Sequence, residues 1–143
     1  MRAAARLAKV AGTALAEDDL SLAQYRVLVF LDVGDRPASQ VAQLLDVTPP
    51  TVTSLVDGLA QRGLVTRKAD PADRRRVICS LTAAGRRALL RGDALVAERL
   101  GRLLDRLSPD EAEQAVTALS ALNRAMESAL EDRFGRPDGD RRP

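Results

Sequence analysis

Apolar residues recur three or four positions apart along most of this chain, the spacing that places them on one face of an α-helix. The pattern predicts a helix from Pro109 onward and five earlier helices, at 3–16, 22–33, 38–45, 48–61 and 83–107. Two short stretches, 64–67 and 77–81, are instead rich in β-branched residues, as strands are. The turn residues DPAD at 70–73 separate them. We therefore expect a mainly α fold with a small β-hairpin.

Start and stop signals agree with these boundaries. Serine and threonine can cap a helix by accepting a backbone N–H. One of them stands at the start of four of the predicted helices, at Ser21, Thr48, Thr82 and Ser108. Pro49 suits a first helical position because its missing N–H has no partner there. Glu111 completes a capping box with Ser108. Gly63 is placed to end its helix in a left-handed conformation.

The order of the elements is informative. The two short helices predicted at 38–45 and 48–61 are joined by only a few residues, which is the spacing of a helix-turn-helix. The second helix then runs through Gly63 into the hairpin, which is the order of a winged helix-turn-helix. Polar side chains near the start of that second helix could contact base edges in a major groove. We take the candidates for this contact to be Pro50, Thr51, Thr53 and Ser54.

The predicted hairpin tip carries three consecutive arginines, Arg74, Arg75 and Arg76. The net charge of the chain is only +2, but residues 62–76 hold six cations and two anions. Residues 109–132 hold six anions and one cation. This asymmetry would orient the hairpin toward phosphates. The alternative is that the arginines form an ordinary solvated turn; their place beside a polar helix face favours contact with DNA.

Composition argues against several other functions. The chain contains no histidine, no glycine-rich phosphate loop and no cysteine or carboxylate cluster with metal-ligand spacing. We therefore expect no enzymatic activity, no cofactor and no metal. A single cysteine cannot form an internal disulfide. No apolar run approaches the roughly 20 residues of a membrane span, and no signal-peptide pattern opens the chain. We expect a cytoplasmic protein without a membrane partner.

Five stretches together resemble the MarR family of bacterial transcription regulators. They are LSLAQYRVL at 20–28, TVTSLVDGL at 51–59, LVTR at 64–67, DPADRR at 70–75 and LTAAGR at 81–86. The resemblance implies a winged helix-turn-helix at 21–82, an N-terminal dimerisation helix at 1–20 and C-terminal dimerisation helices at 83–132. We expect the remaining residues, 133–143, to be a disordered tail because they are rich in glycine, proline and charge.

Several functional expectations follow from the resemblance. It implies a homodimer that binds a pseudo-palindromic operator in double-stranded DNA. The dimer is expected to act as a repressor that a small phenolic or anionic effector releases. Arg75 would be the wing arginine that enters the DNA, while Arg74 and Arg76 contact phosphates. Asp73 would support the tip by pairing with a neighbouring arginine. Tyr25 and Arg26 could line the effector pocket, although a tyrosine in such a helix is more often part of the core.

This sequence departs from the family pattern in its second, DNA-recognition helix. Residues 48–61 contain no cation, and Ser54 and Gly58 stand where many relatives carry arginine or lysine. Bidentate recognition of guanine by arginine is therefore absent from this helix. Base contacts would come from hydroxyl groups and from apolar contact with thymine methyls. We expect weaker DNA binding that depends on the wing.

Three alternatives stay open at this point. The first, fifth and sixth helices could pack within one chain or form an interchain bundle, and we favour the bundle. Cys79 could be a buried structural thiol or a redox sensor, and its position between Val77 and Leu81 favours burial. Finally, the winged helix could bind another protein rather than DNA.

Overall fold

The computed structural model describes residues 2–134, so most of the predicted tail, 135–143, lies outside the described residues. The helices are α1 to α6 in chain order, at Arg2–Leu15, Leu22–Asp32, Ala38–Leu45, Pro49–Gln61, Ala83–Leu104 and Pro109–Phe134, with a short 3₁₀ turn at Ala16–Asp18. The strands are β1 to β3, at Arg36–Pro37, Val65–Ala69 and Val77–Leu81. The predicted mainly α fold with a small β wing is confirmed. The final helix continues through Arg133 and Phe134, which the sequence had placed in the tail.

Most of the predicted caps are present. Ser21 forms a capping box with Gln24, and Ser108 forms one with Glu111. The Thr82 hydroxyl accepts the backbone N–H of Gly85 at 2.9 Å. The expected cap at Thr48 is wrong, because its hydroxyl is bonded to the hydroxyl of Thr51 at 2.9 Å and accepts no backbone N–H.

The sheet has a third strand that the sequence did not indicate. Its order is β1-β3-β2, with both pairs antiparallel. β1 has only two residues, so it offers no alternation of polar and apolar positions to recognise. Its Arg36 is buried, and the guanidinium donates to the Phe30 carbonyl at 3.1 Å and to Gln40 Oε1 at 3.3 Å. Burial lowers the pKa of Arg36, and these two acceptors offset part of the cost of desolvating it.

The hydrophobic core lies between α2, α3, α4, the sheet and the first turns of α5. Ala88 of α5 is fully buried. The largest fully buried side chains come from the end of α1, the segment that leads into α2, and α2, α3, α4 and β3, namely Leu15, Leu20, Val27, Leu28, Leu31, Val41, Val56, Leu59 and Cys79. Burial raises the pKa of the Cys79 thiol, with the Arg67 charge acting weakly in the opposite direction. A buried thiol with a raised pKa forms little thiolate. This supports the structural interpretation of Cys79.

The helices outside this core differ in their packing. α1 packs along α5 within the chain, so part of the single-chain alternative is present. In α6, from Pro109 to Phe134, no residue is buried. Its apolar stripe is left open, with Val116, Leu119, Leu122 and Met126 between 46% and 60% exposed. Within residues 2–134, no helix combines the length and the apolarity that crossing a membrane requires.

Close approach of α5 to the hairpin requires a glycine at position 85. A Cβ built there would lie 2.0 Å from the Leu64 carbonyl oxygen and 2.7 Å from a Leu81 methyl. The first of these atoms belongs to the backbone, so the start of α5 would have to move.

We expect Gly85→Ala to lower the free energy of unfolding by about 1–3 kcal/mol, the usual cost of overpacking. Chemical denaturation followed by circular dichroism measures this. Gly101→Ala in the same helix is the matched control, since a Cβ at Gly101 meets nothing within 4 Å. The control should raise stability by up to about 1 kcal/mol. Equal effects of the two changes would contradict the packing argument.

Candidate nucleic-acid interface

The helix α4 has one buried and one exposed face. Val52, Val56 and Leu59 are buried in the core. All four residues that the sequence singled out for base contacts are exposed on the other side: Pro50, Thr51, Thr53 and Ser54. A shallow groove of about 780 Å³ follows this face and is lined by α4 residues between Pro49 and Gln61. Pro50, Thr53 and Ser54 line this groove, and Thr51 is exposed outside its lining.

The hydroxyl groups on this face differ in their hydrogen bonding. Thr53 Oγ1 donates to the Pro49 carbonyl at 3.0 Å, one turn earlier in the same helix. Thr51 shares a hydrogen bond with Thr48. The Ser54 hydroxyl has no hydrogen-bond partner within residues 2–134. Of the hydroxyls on the exposed α4 face, Ser54 is therefore the one that is fully available to a ligand.

The hairpin tip between β2 and β3 is held by two aspartates and by main-chain bonds. The Asp73 carboxylate accepts the backbone N–H of Arg75 at 3.0 Å, and the Asp73 carbonyl accepts that of Arg76 at 2.8 Å. The Asp70 carboxylate accepts the N–H of Ala72 at 2.9 Å. The ion pair at the tip joins Arg76 to Asp70, at 3.9 Å. The expected side-chain pairing of Asp73 with an arginine is therefore replaced by a hydrogen bond to the backbone.

The six cations of residues 62–76 fall into two groups. Arg62 donates to the Asp19 carbonyl at 2.7 Å and to the Asp18 carbonyl at 3.3 Å, while Arg67 forms an ion pair with Asp57 of α4. Arg76 belongs to this first, partnered group through its ion pair with Asp70. The other three are exposed and have no side-chain partner in the described part of the chain: Lys68, Arg74 and Arg75. The available positive charge is thus concentrated on the hairpin, mainly at its tip.

A second set of contacts, which sequence reasoning missed, joins the α4 end to α5. The 3₁₀ turn lies between them: Arg62 reaches its carbonyls, and its Asp18 carboxylate accepts Arg91 Nε at 3.1 Å. Arg86 of α5 forms a further ion pair with Asp32 of α2, at 2.6 Å. These partners are far apart in sequence, so no local sequence pattern predicts the contacts between them. These contacts connect α5 to the end of α4 through the 3₁₀ turn, and to α2 directly.

The two effector candidates lie on α2. The Tyr25 hydroxyl donates to Asp93 of α5 at 2.5 Å, and its ring packs against Gly92, where an added Cβ would lie 3.2 Å from a ring carbon. Burial first, and then the hydrogen bond to Asp93, raise the pKa of Tyr25. Arg26 is exposed and donates to the Leu44 carbonyl at 3.5 Å. Tyr25 therefore belongs to the joint between α2 and α5, whereas Arg26 contacts α3.

Residues 2–134 contain no group of three or more histidine, cysteine, aspartate or glutamate side chains that could hold a metal ion. The exposed chemistry of this surface is that of hydroxyl, methyl and guanidinium groups. Such groups bind through hydrogen bonds, apolar contact and charge.

Comparison with known proteins shows which family this chain is similar to. The family model described as "MarR family" matches residues 18–76. The HTH-type transcriptional regulator YfiV of Bacillus subtilis (strain 168) is 33% identical over 118 residues, which are 80% of this chain and 72% of that protein.

Two solved structures of the transcriptional repressor CouR are also similar. One is bound to a 23-mer DNA duplex; it has a TM-score of 0.70 and 33% identity, over 85% of this chain and 87% of that chain. The other, from Rhodococcus jostii RHA1, is bound to p-coumaroyl-CoA; it has a TM-score of 0.66 and 27% identity, over 93% of this chain and 87% of that chain. The matched relatives are regulators rather than enzymes. This chain belongs to the MarR family of transcriptional regulators.

Proposed function

We propose that this protein is a homodimeric, sequence-specific regulator that binds a pseudo-palindromic operator in double-stranded DNA and acts as a repressor. The observation that carries the proposal is the arrangement of the exposed α4 face beside a hairpin whose tip arginines, Arg74 and Arg75, have side chains without a partner within residues 2–134. An α-helix fits the major groove, and a cationic hairpin next to it suits the adjacent backbone and minor groove. The similar repressor CouR has been solved bound to a 23-mer DNA duplex, which supports duplex DNA as the ligand.

Each part of the surface has a separate proposed role. Pro50, Thr51, Thr53 and Ser54 contact base edges, because they occupy the exposed face of α4. Arg75 enters the minor groove, and Arg74 and Arg76 contact phosphates. Asp73 keeps the tip in shape through its bond to the Arg75 backbone. Contacts to phosphate fix position and contribute a salt-dependent affinity, whereas contacts to bases give specificity.

The homodimer is supported by the exposed apolar stripe of α6 and by its charge. α6 carries six acidic and two basic residues. α1 carries three basic residues, Arg2, Arg6 and Lys9, and no acidic one. Two copies can therefore pair the acidic α6 of one with the basic α1 of the other while covering the stripe. This assigns residues 1–20 and 83–132 to dimerisation and 21–82 to DNA binding.

We further propose that a small phenolic or anionic effector releases the DNA. The CouR ligand p-coumaroyl-CoA contains both a phenol and phosphate groups, which supports this class of compound. Tyr25 lies where α2 of the DNA-binding region, residues 21–82, meets α5, through its bond to Asp93. A phenol can offer Asp93 the same kind of donor, and the nearby Arg26 can attract an anion. Binding there would change the angle between α2 and α5.

The first prediction concerns the wing. In fluorescence anisotropy with a duplex from the protein's own promoter, Arg75→Ala should weaken binding about 5- to 150-fold, the factor expected for loss of one specific DNA contact. Arg74→Ala should reduce the slope of log affinity against log salt by about 1. Ser54→Ala should have a smaller effect than Arg75→Ala, because it removes one neutral hydroxyl.

Arg106→Ala is the matched control for these changes. Arg106 is exposed and follows α5 at the end far from the wing, so binding should not change. An Arg75→Ala protein with unaltered affinity and salt dependence would rule out the wing contact. Absence of duplex binding at low salt, together with capture of a protein partner, would favour a protein-binding winged helix instead.

The second prediction concerns the dimer. Leu122 is 60% exposed on the α6 stripe, and Leu122→Glu would place a charge in the proposed interface. Sedimentation velocity should show the unaltered protein as a dimer and this variant as predominantly monomeric. Thr117→Glu, on the opposite side of α6, is the control and should remain dimeric. A monomeric unaltered protein at micromolar concentration would refute the homodimer.

The third prediction concerns the effector. With labelled operator bound, phenolic acids and their coenzyme A thioesters are titrated until the DNA is released. Tyr25→Phe, which removes the donor to Asp93, and Arg26→Gln should each shift the releasing concentration by about tenfold, the effect of roughly one lost hydrogen bond to a charged group. Arg106→Gln should not. Unchanged release in both α2 variants would remove these residues from the effector site.

A further inference from the structure

We propose that α4 recognises the 5-methyl groups of thymine, so that the operator segment beneath α4 is built from A·T pairs. The inference rests on the proposed function, since it names the kind of sequence that the DNA-binding surface selects. Thymine alone among the four bases carries a methyl group in the major groove. The argument depends on which groups of α4 are available and which are already bonded within the protein.

Charged groups that could recognise guanine or cytosine are engaged elsewhere. α4 has no cation of its own. The arginines that follow it are both committed, Arg62 to the carbonyls of the 3₁₀ turn and Arg67 to Asp57. The same ion pair occupies Asp57, whose carboxylate could otherwise accept the cytosine amino group. Neither partner of a G·C pair therefore meets its usual charged contact on this face.

Most of the threonine hydroxyl protons at this surface are already used within the protein, whereas the methyl groups need no partner. Thr53 Oγ1 donates its only proton to the Pro49 carbonyl. Because the hydroxyl turns back along the helix, the Thr53 methyl is the part of the side chain left to the surface. The hydroxyls of Thr48 and Thr51 bond to each other, which uses the proton of one of them. Pro50, also exposed, adds an apolar ring.

The polar groups that remain are compatible with A·T pairs. The free Ser54 hydroxyl can donate to adenine N7 or thymine O4, and the exposed Gln61 amide can bond adenine at two positions. Gly58 lies between them and lines the same groove. Together these features give a surface of methyl, ring and neutral polar groups that matches the thymine-bearing edge of an A·T pair.

The test replaces thymine by deoxyuridine, which removes the 5-methyl group and keeps base pairing. Operator duplexes are first selected from a random pool with the full-length protein, and the α4 segment is located by its central position in each half-site. We expect that segment to be rich in A·T pairs. Each contacted thymine changed to deoxyuridine should weaken binding about fourfold, the factor associated with burial of one methyl-sized group. Deoxyuridine in the flanks is the control and should have no effect.

Two variants of Thr53 separate methyl recognition from a structural role of the hydroxyl. Thr53→Val keeps a methyl group and loses the bond to Pro49, whereas Thr53→Ser keeps that bond and loses the methyl. Methyl recognition predicts that the valine protein retains affinity and the deoxyuridine effect. It also predicts that the serine protein binds the operator more weakly and no longer responds to deoxyuridine at one thymine position. A structural role of the hydroxyl predicts the reverse order, and thermal unfolding of both variants checks that each is folded.

The possible results distinguish this inference from the proposed function. Tight operator binding with no effect of deoxyuridine at any α4 position would overturn methyl recognition and leave DNA binding intact. Selected half-sites rich in G·C under α4 would overturn it as well. A protein that selects no duplex at low salt would refute the proposed function itself.

Discussion

The winged helix-turn-helix depends on one junction, which is centred on Thr82. Its hydroxyl donates toward the Gly63 and Leu64 carbonyls, at 2.7 and 3.1 Å, and accepts the Gly85 N–H. Its backbone N–H also donates to the Leu64 carbonyl. These bonds join the end of α4, the start of the hairpin and the first turn of α5 within a few ångströms. The hairpin can therefore present its tip at a fixed angle to α4 only while this junction is intact.

The arginines of this chain differ in what they contact: some connect two elements of the fold, and others are exposed at the hairpin tip. Arg62, Arg67, Arg86 and Arg91 all bond to protein acceptors, and each of them connects two different elements. Arg74 and Arg75 project from the tip with no such partner within residues 2–134. Exposed ion pairs contribute little stability one by one, but several of them around one joint restrict its angle. The net charge of a segment is thus a poor guide to the charge that it offers a ligand.

Local features of the fold were predictable from sequence, and long-range ones were not. The caps at Ser21, Thr82 and Ser108 and the turn at Gly63 follow from residue type and neighbours alone, and all four are present. Thr48 failed as a cap because Thr51, only one turn away, competed for its hydroxyl. β1 and the Arg62 contacts depend on residues more than 40 positions away. The exposed face of α4 was predictable, but which of its hydroxyls are free was not.

The separation between a charged tip and a neutral recognition helix has a thermodynamic consequence. Attraction of the tip to phosphates weakens as salt rises, because counterions are no longer released at a gain in entropy. Contact of methyl and ring groups with thymine depends on buried apolar area and is not screened in this way. If both act in one complex, higher salt lowers affinity for all duplexes together and leaves the ratio between operator and other sequences nearly constant. A recognition helix that used arginine would instead lose part of that ratio as well.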